Sequence, residues 1–204
     1  MRIDEIISAV PVLPVLIIHD LDKAVPLARA LVEGGLKVIE VRLRTPVAME
    51  AISAISKSVP EATVGAGTVT RPEQFSTAAA AGARFAVSSG LTRVLLNASA
   101  QSEMPYLPGV YTPSEAMAAR DVGFEYLKLF PTLKSDGIQM LQAIGGPFPE
   151  LKLCPSGEID SSNFRDFLAL PNVPCVGGNW MAPDEAVAAG DWDTVTRLAA
   201  ESVI

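Results

Sequence analysis

Lys128 has the most suggestive surroundings in the chain. It lies in Phe124-Glu125-Tyr126-Leu127-Lys128-Leu129-Phe130-Pro131, where most neighbours are apolar or aromatic. Period-two alternation puts Phe124, Tyr126, Lys128 and Phe130 on one face of a strand. An ammonium among such side chains is poorly solvated, which favours the free amine, the form that adds to a ketone to make a Schiff base. The same placement fits a lysine that reaches to the strand rim or pairs with Glu40 or Glu125. Glu40, Arg42 and Arg44 alternate along Glu40-Val41-Arg42-Leu43-Arg44-Thr45 and can share a face. Such a set would serve as a proton-shuttling carboxylate beside guanidiniums that grip a carboxylate at two points. It fits a structural ion pair at a strand end as well. Spacing leaves both readings open.

Other polar residues fall where strands should end. They include Gly65-Ala66-Gly67-Thr68, Ser88-Ser89-Gly90, Pro155-Ser156-Gly157-Glu158 and Gly177-Gly178-Asn179. Glycine lets backbone N–H groups approach a phosphate closely and serine adds a donor, although glycines also make plain turns. Glu158 would repel a phosphate unless it points away. His19 reads as a rim residue, Cys154 and Cys175 as small packing residues. Lys152, between Leu151 and Leu153, reads as a stem packed between strand and helix. The carboxylates do not converge in any ligand-like spacing, so no metal site is expected.

The elements that must position these residues alternate from end to end. Strands are expected at 12–18, 38–43, 62–65, 85–88, 106–107, 125–130, 151–154 and 173–176. Each is followed by a helix, at 22–33, 46–58, 72–81, 91–100, 113–121, 137–144, 161–168 and 183–189, with a further helix from Trp192. A short helix near 3–9 comes first. Strict alternation implies parallel pairing with right-handed crossovers, and eight such units close into a (β/α)8 TIM barrel of the α/β class. An open doubly wound sheet is the alternative, but no Gly-x-Gly-x-x-Gly follows the first strand. With 204 residues and no linker or repeat, one domain over 1–204 is expected.

Composition narrows the function. The chain is 49% hydrophobic with a net charge of −7, which argues against nucleic acid and anionic membranes as partners. The longest apolar run, 10–18, is broken by Pro11 and Pro14 and is too short to span a bilayer. Two cysteines cannot form a disulfide scaffold and no signal-peptide pattern is seen, so a cytoplasmic protein is expected. A single histidine excludes a His-rich zinc site and disfavours a Ser–His–Asp triad.

Taken in order, six blocks resemble one family. They are Val38-Ile39-Glu40-Val41 with Leu43-Arg44-Thr45, Val64-Gly65-Ala66-Gly67-Thr68-Val69, Leu127-Lys128-Leu129-Phe130-Pro131, Gly145-Gly146-Pro147-Phe148, Cys154-Pro155-Ser156-Gly157 and Cys175-Val176-Gly177-Gly178. Over nearly its whole length the sequence resembles the bacterial 2-keto-3-deoxy-6-phosphogluconate (KDPG) / 4-hydroxy-2-oxoglutarate (KHG) aldolase family. The resemblance implies a class I aldolase of the Entner–Doudoroff pathway on a (β/α)8 barrel, a homotrimer needing no metal or other cofactor. It implies that Lys128 forms the Schiff base and Glu40 shuttles protons. Arg44 and Thr68 would hold the carboxylate of the pyruvate end, and Ser89 and Gly90 would line that pocket. Ser156, Gly157, Gly178 and Asn179 match the phosphate-binding positions. The chain departs from the family's usual residues at Arg42, Ser89, Thr132-Leu133, Ser156, Glu158 and Asn179. These changes concentrate on substrate recognition. Imine chemistry on an unphosphorylated 2-oxo acid (4-hydroxy-2-oxoglutarate cleavage or oxaloacetate decarboxylation) is therefore the nearest alternative. A phosphosugar isomerase or epimerase, or a non-catalytic barrel that binds small acids, would use the same fold.

Overall fold

Val12–Leu16 forms strand β1, buried at every position, as expected of a strand covered by helices on one face and enclosed on the other. In the computed structural model, which describes residues 1–203, eight further strands follow. They are β2 (Val38–Arg42), β3 (Thr63–Val69), β4 (Ala86–Ser88), β5 (Tyr106–Leu107), β6 (Gly109–Val110), β7 (Tyr126–Thr132), β8 (Lys152–Gly157) and β9 (Val176–Gly178). All pair in parallel, in the order β5-β4-β3-β2-β1-β9-β8-β7-β6. The two ends of that order are separated only by Pro108. β5 pairs with β4 through Ala86 and Tyr106, while β6 pairs with β7 through Gly109 and Lys128. Proline has no N–H to give a ladder, so the fifth barrel strand divides there into two segments. Its carbonyl accepts from the Lys128 N–H at 2.9 Å, and the chain itself bridges the seam of a nearly closed barrel.

The helices are α1 (Ile3–Ile7), α2 (Leu21–Glu33), α3 (Ala48–Ser58), α4 (Glu73–Ala81), α5 (Arg93–Ala100), α6 (Pro113–Asp121), α7 (Gly137–Gly145), α8 (Phe164–Leu168), α9 (Asp184–Ala189) and α10 (Trp192–Glu201). Several starts are fixed by side chains that accept otherwise orphaned N–H groups: Asp20 before α2, Thr92 before α5, Asp191 before α10, and a Thr112–Glu115 capping box before α6. Among the described residues, no helix is long and apolar enough to cross a membrane.

Period-two alternation splits the apolar residues into two cores. Ile39, Val41, Leu127, Leu129 and Leu153 face outward against the helices. Leu13, Val15, Val38, Phe85, Val87, Leu107, Cys154 and Cys175 cluster with Ile6, Ile7 and Val10. The second cluster is the barrel interior, and α1 plugs its N-terminal end. A five-residue helix is not stable alone. It is held here by complete burial of Ile6 and Ile7, each contributing about 1.5–3 kcal/mol.

The structure moves some sequence-based boundaries. β3 extends four residues beyond the expected end, through a bulge described below. The eighth barrel strand begins at Val176 rather than 173, because the Val173 N–H turns back to the Leu170 carbonyl. Helix α8 starts at Phe164 rather than 161, because Asp160 accepts from the Ser162 N–H and side chain while Asn163 accepts from the Asp160 N–H.

Candidate active site

Lys128 occupies the middle of β7, in register with Cys154 of β8 and Gly109 of β6. Its side chain enters the barrel above the apolar floor. Glu40 enters from β2, flanked in register by Val15 of β1 and Gly65 of β3. Nζ of Lys128 meets Oε1 of Glu40 at 3.2 Å and Oε2 at 3.3 Å, and the two side chains are 5% and 1% exposed. The Phe130 ring centroid lies 5.6 Å from the same nitrogen. Removing either partner of a pair this buried strands the other's charge, at a cost of about 3–5 kcal/mol.

β3 is built to leave room for this pair. A Cβ at Gly65 would strike the Phe85 ring, and one at Gly67 would overlap the Glu40 carboxylate. The inward face of β3 thus carries no side chain at either level. Just beyond, Thr68 has a φ of 58°, and the pairing of β3 with β4 slips by one residue between Ala66 and Val69. A β-branched residue in the left-handed region is strained by about 1–3 kcal/mol. The bulge lies at the C-terminal end of β3, the end from which the barrel mouth is built.

Arg42 follows Glu40 on the same face of β2, and Arg44 lies just past the strand's end, its N–H bonded to the Arg42 carbonyl at 2.8 Å. The Leu43 N–H bonds the Gly67 carbonyl at 2.9 Å, so this segment stays tied to β3. Arg44 is exposed. Arg42 is half-buried, which lowers its guanidinium pKa; the charge of Glu40 opposes this and that of Arg44 adds to it.

On the far side, Ser156 is in register with Gly177 and only 3% exposed, yet its hydroxyl has no partner among the described residues. A Cβ at Gly177 would come within 3.0 Å of that oxygen. Gly157 lies so close to Thr132 that a Cβ would strike its backbone, and the Glu158 N–H bonds the Thr132 carbonyl at 2.8 Å. The Glu158 carboxylate accepts from the Lys134 N–H at 3.0 Å, which turns it toward the loop after β7. Gly178 leaves space for the Trp180 ring, and the exposed Asn179 follows it. Ser89 and Gly90 follow β4, and Gly90 has open space around it.

The candidate residues therefore lie on β2, β3, β7, β8 or β9, or just beyond the ends of β2, β4 and β9. Lys128 and Glu40 are in direct contact. The side chains of Arg44, Thr68, Ser89, Ser156 and Asn179 have no hydrogen-bond partners among the described residues. His19 is exposed and lines a separate surface depression with Ile17, Lys23 and Asp184. Lys152 bonds the Pro171 carbonyl at 3.2 Å, away from the mouth. Cys154 and Cys175 are buried, with Sγ atoms 3.4 Å apart.

Ser88 is noted from the sequence only as one of the polar residues at a strand end, with no role. Its buried hydroxyl donates to the Gly90 carbonyl at 2.9 Å, accepts from the Gly109 N–H at 3.0 Å and meets the Tyr106 hydroxyl at 2.6 Å. It stitches the seam next to Lys128. A serine ending an apolar strand was the available signal, but its partners lie on another strand.

A strand amine touching a carboxylate inside the mouth of a (β/α)8 barrel is the equipment of a carbon–carbon lyase that works through an imine. Comparison with known proteins makes this specific. The family described as KDPG and KHG aldolase matches residues 3–198, and the chain belongs to that family. The KHG/KDPG aldolase of Escherichia coli (strain K12) is 48% identical over 200 residues, covering 98% of this chain and 94% of that protein. The KDPG aldolase of Legionella pneumophila, solved with pyruvate captured at low pH as a covalent carbinolamine intermediate, superposes with a TM-score of 0.94. It is 47% identical, with 98% of this chain and 97% of that one covered. The 2-keto-3-deoxy-6-phospho-gluconate aldolase of Zymomonas mobilis gives a TM-score of 0.93 at 40% identity, covering 100% and 97%.

Proposed function

We propose that the protein is a class I aldolase that cleaves 2-keto-3-deoxy-6-phosphogluconate to pyruvate and glyceraldehyde 3-phosphate. The contact of Lys128 Nζ with Glu40 at 3.2 Å carries this reading. Lys128 passes a proton to Glu40 and adds as the amine to the ketone carbon; Glu40 returns that proton to the hydroxyl of the carbinolamine, and loss of water leaves a protonated imine. Glu40, directly or through water, takes the proton of the C4 hydroxyl. The C3–C4 bond breaks, its electron pair enters the iminium, and the aldehyde leaves an enamine rather than a bare carbanion. Protonation at C3 and hydrolysis return pyruvate and the lysine.

Arg44 and Thr68 hold the carboxylate next to the ketone, with Ser89 and Gly90 lining that end. Ser156, Gly157, Gly178 and Asn179 receive the phosphate. Ser156 supports this assignment best: its hydroxyl makes no hydrogen bond with any described residue and is not sealed from solvent, although the residue is only 3% exposed. The reading extends to one aldolase domain over 1–204, acting without metal or other cofactor as a cytoplasmic homotrimer of the Entner–Doudoroff pathway. It rests there on family membership, and sedimentation velocity tests the subunit number.

Incubation with pyruvate and borohydride tests the chemistry. A reduced pyruvyl adduct on Lys128 supports the imine; its absence overturns it in favour of an isomerase-type barrel. A second reading keeps the imine but takes 4-hydroxy-2-oxoglutarate or oxaloacetate, and the dual name of the Escherichia coli relative favours carrying it. Equal kcat/KM for phosphorylated and unphosphorylated substrates would select it.

A further inference from the structure

Arg42 has no place in the scheme above, although it shares a face of β2 with Glu40. Its side chain makes no hydrogen bond or ion pair with any described residue. Glu40 lies within electrostatic range but is engaged by Lys128 through both oxygens, at 3.2 and 3.3 Å. Arg44, just past the strand's end and near enough to act on Arg42, is of the same sign. Half-burial of an unpaired guanidinium beside a like charge is unfavourable unless an anion meets it.

Charge counting says how many anions the mouth is built for. Lys128 and Glu40 neutralise each other, and Arg44 matches one carboxylate. Arg42 remains as a second positive charge, held on a strand rather than a loop. The carboxylates of the phosphate-side loop are engaged elsewhere: Glu158 accepts from the Lys134 N–H at 3.0 Å, and Asp160 accepts from Ser162 and lies 3.6 Å from the Lys134 ammonium.

We propose that Arg42 is a specificity-determining residue that binds the second carboxylate of a short 2-oxo dicarboxylic acid, on the aldehyde side of the bond to be cleaved. This rests on the imine reading of Lys128 and deepens it. β2 ends at Arg42, and the chain turns there, with the Arg44 N–H bonded to the Arg42 carbonyl at 2.8 Å, so the two guanidiniums stand close enough at the strand end to feel each other's charge. Two neighbouring cations suit an acid whose two carboxylates flank a short chain. A guanidinium also matches a carboxylate in planar, two-point fashion, which a lysine does not.

The test compares 4-hydroxy-2-oxoglutarate with 4-hydroxy-2-oxobutanoate, which lacks the second carboxylate, in the wild type, Arg42→Thr and Arg42→Lys. In Arg42→Thr the ratio of kcat/KM for the diacid to that for the monoacid falls about 10-fold or more, mostly through KM, as expected for loss of a charge-assisted pair. Arg42→Lys recovers part of the ratio. A ratio unchanged within about 2-fold, or an equal loss on both substrates, overturns the role. Borohydride trapping of pyruvate on the wild type separates the two levels: no adduct defeats the imine reading itself, whereas an adduct with an unchanged ratio defeats only the assignment to Arg42.

Discussion

Lys128 and Glu40 stand 88 residues apart in the chain and 3.2 Å apart in space, joined across the barrel from β7 to β2. Each is charged, nearly inaccessible and supplied with one partner. Lys128→Arg keeps the positive charge and removes the imine: trapping with pyruvate is abolished and kcat falls by about 10^4-fold or more. Glu40→Gln keeps the shape, still traps pyruvate, and slows turnover by about 10^2–10^4-fold, the range for losing a general acid–base group. Both Glu40→Gln and Glu40→Ala leave the ammonium without a counter-ion and destabilise in urea unfolding, by about 3–5 kcal/mol for Ala and less for Gln, whose amide oxygen can still accept from Nζ.

Thr68 trades stability for position. Thr68→Gly removes the steric penalty at φ 58°, and part of that gain is offset by glycine's extra freedom in the unfolded chain. The expected outcome is a protein more stable by about 1 kcal/mol, with KM for pyruvate-derived substrates raised. Urea denaturation and steady-state kinetics on the same preparation check both halves.

Tyr106 sets an alkaline limit. Burial pushes its phenol up to about 12, opposed in part by the hydrogen bond with Ser88. The folded pKa is raised above the unfolded value of 10.0. Its contribution is therefore fully present below pH 10 and is lost as pH rises toward 12, amounting to about 2–3 kcal/mol. Tyr106→Phe should flatten the decline of stability over that interval, read from urea midpoints at successive pH values.

Glu115 acts at the opposite end of the scale. Partial burial works against its ionisation, but hydrogen bonds from the Tyr111 N–H, the Thr112 N–H and the Thr112 hydroxyl outweigh that and hold its pKa below 4.5. A depressed carboxylate stabilises above its unfolded pKa and loses the contribution as pH falls through the folded one. Glu115→Ala should cost about 1 kcal/mol at neutral pH and less in acid, where the wild type has lost the same cap.

Much of the architecture was legible because alternation of strand and helix is a local property. Lys128 stood out for the same reason, as one charge among apolar neighbours. The partnership with Glu40 was open on spacing alone, since only barrel closure makes β2 and β7 face each other. Boundaries slipped where side chains or bulges override propensity. Gly65-Ala66-Gly67-Thr68 looks like a turn but continues as strand, because its glycines make room for Phe85 and Glu40. The division of the fifth strand at Pro108 and the stitch by Ser88 depend on contacts between strands, which no local pattern records. Arg42 was visible as a cation beside Glu40, but that it lacks a partner is a fact of three dimensions.

The plug formed by α1 has a kinetic consequence. Ile6, Ile7 and Val10 fill the N-terminal end of the barrel, so the proposed site is approached from the C-terminal ends of the strands. In the proposed reaction the ketone would be bonded to Lys128 at depth, with the aldehyde fragment between it and solvent. Traffic must then be last in, first out: the aldehyde departs before the enamine can be hydrolysed and released as pyruvate.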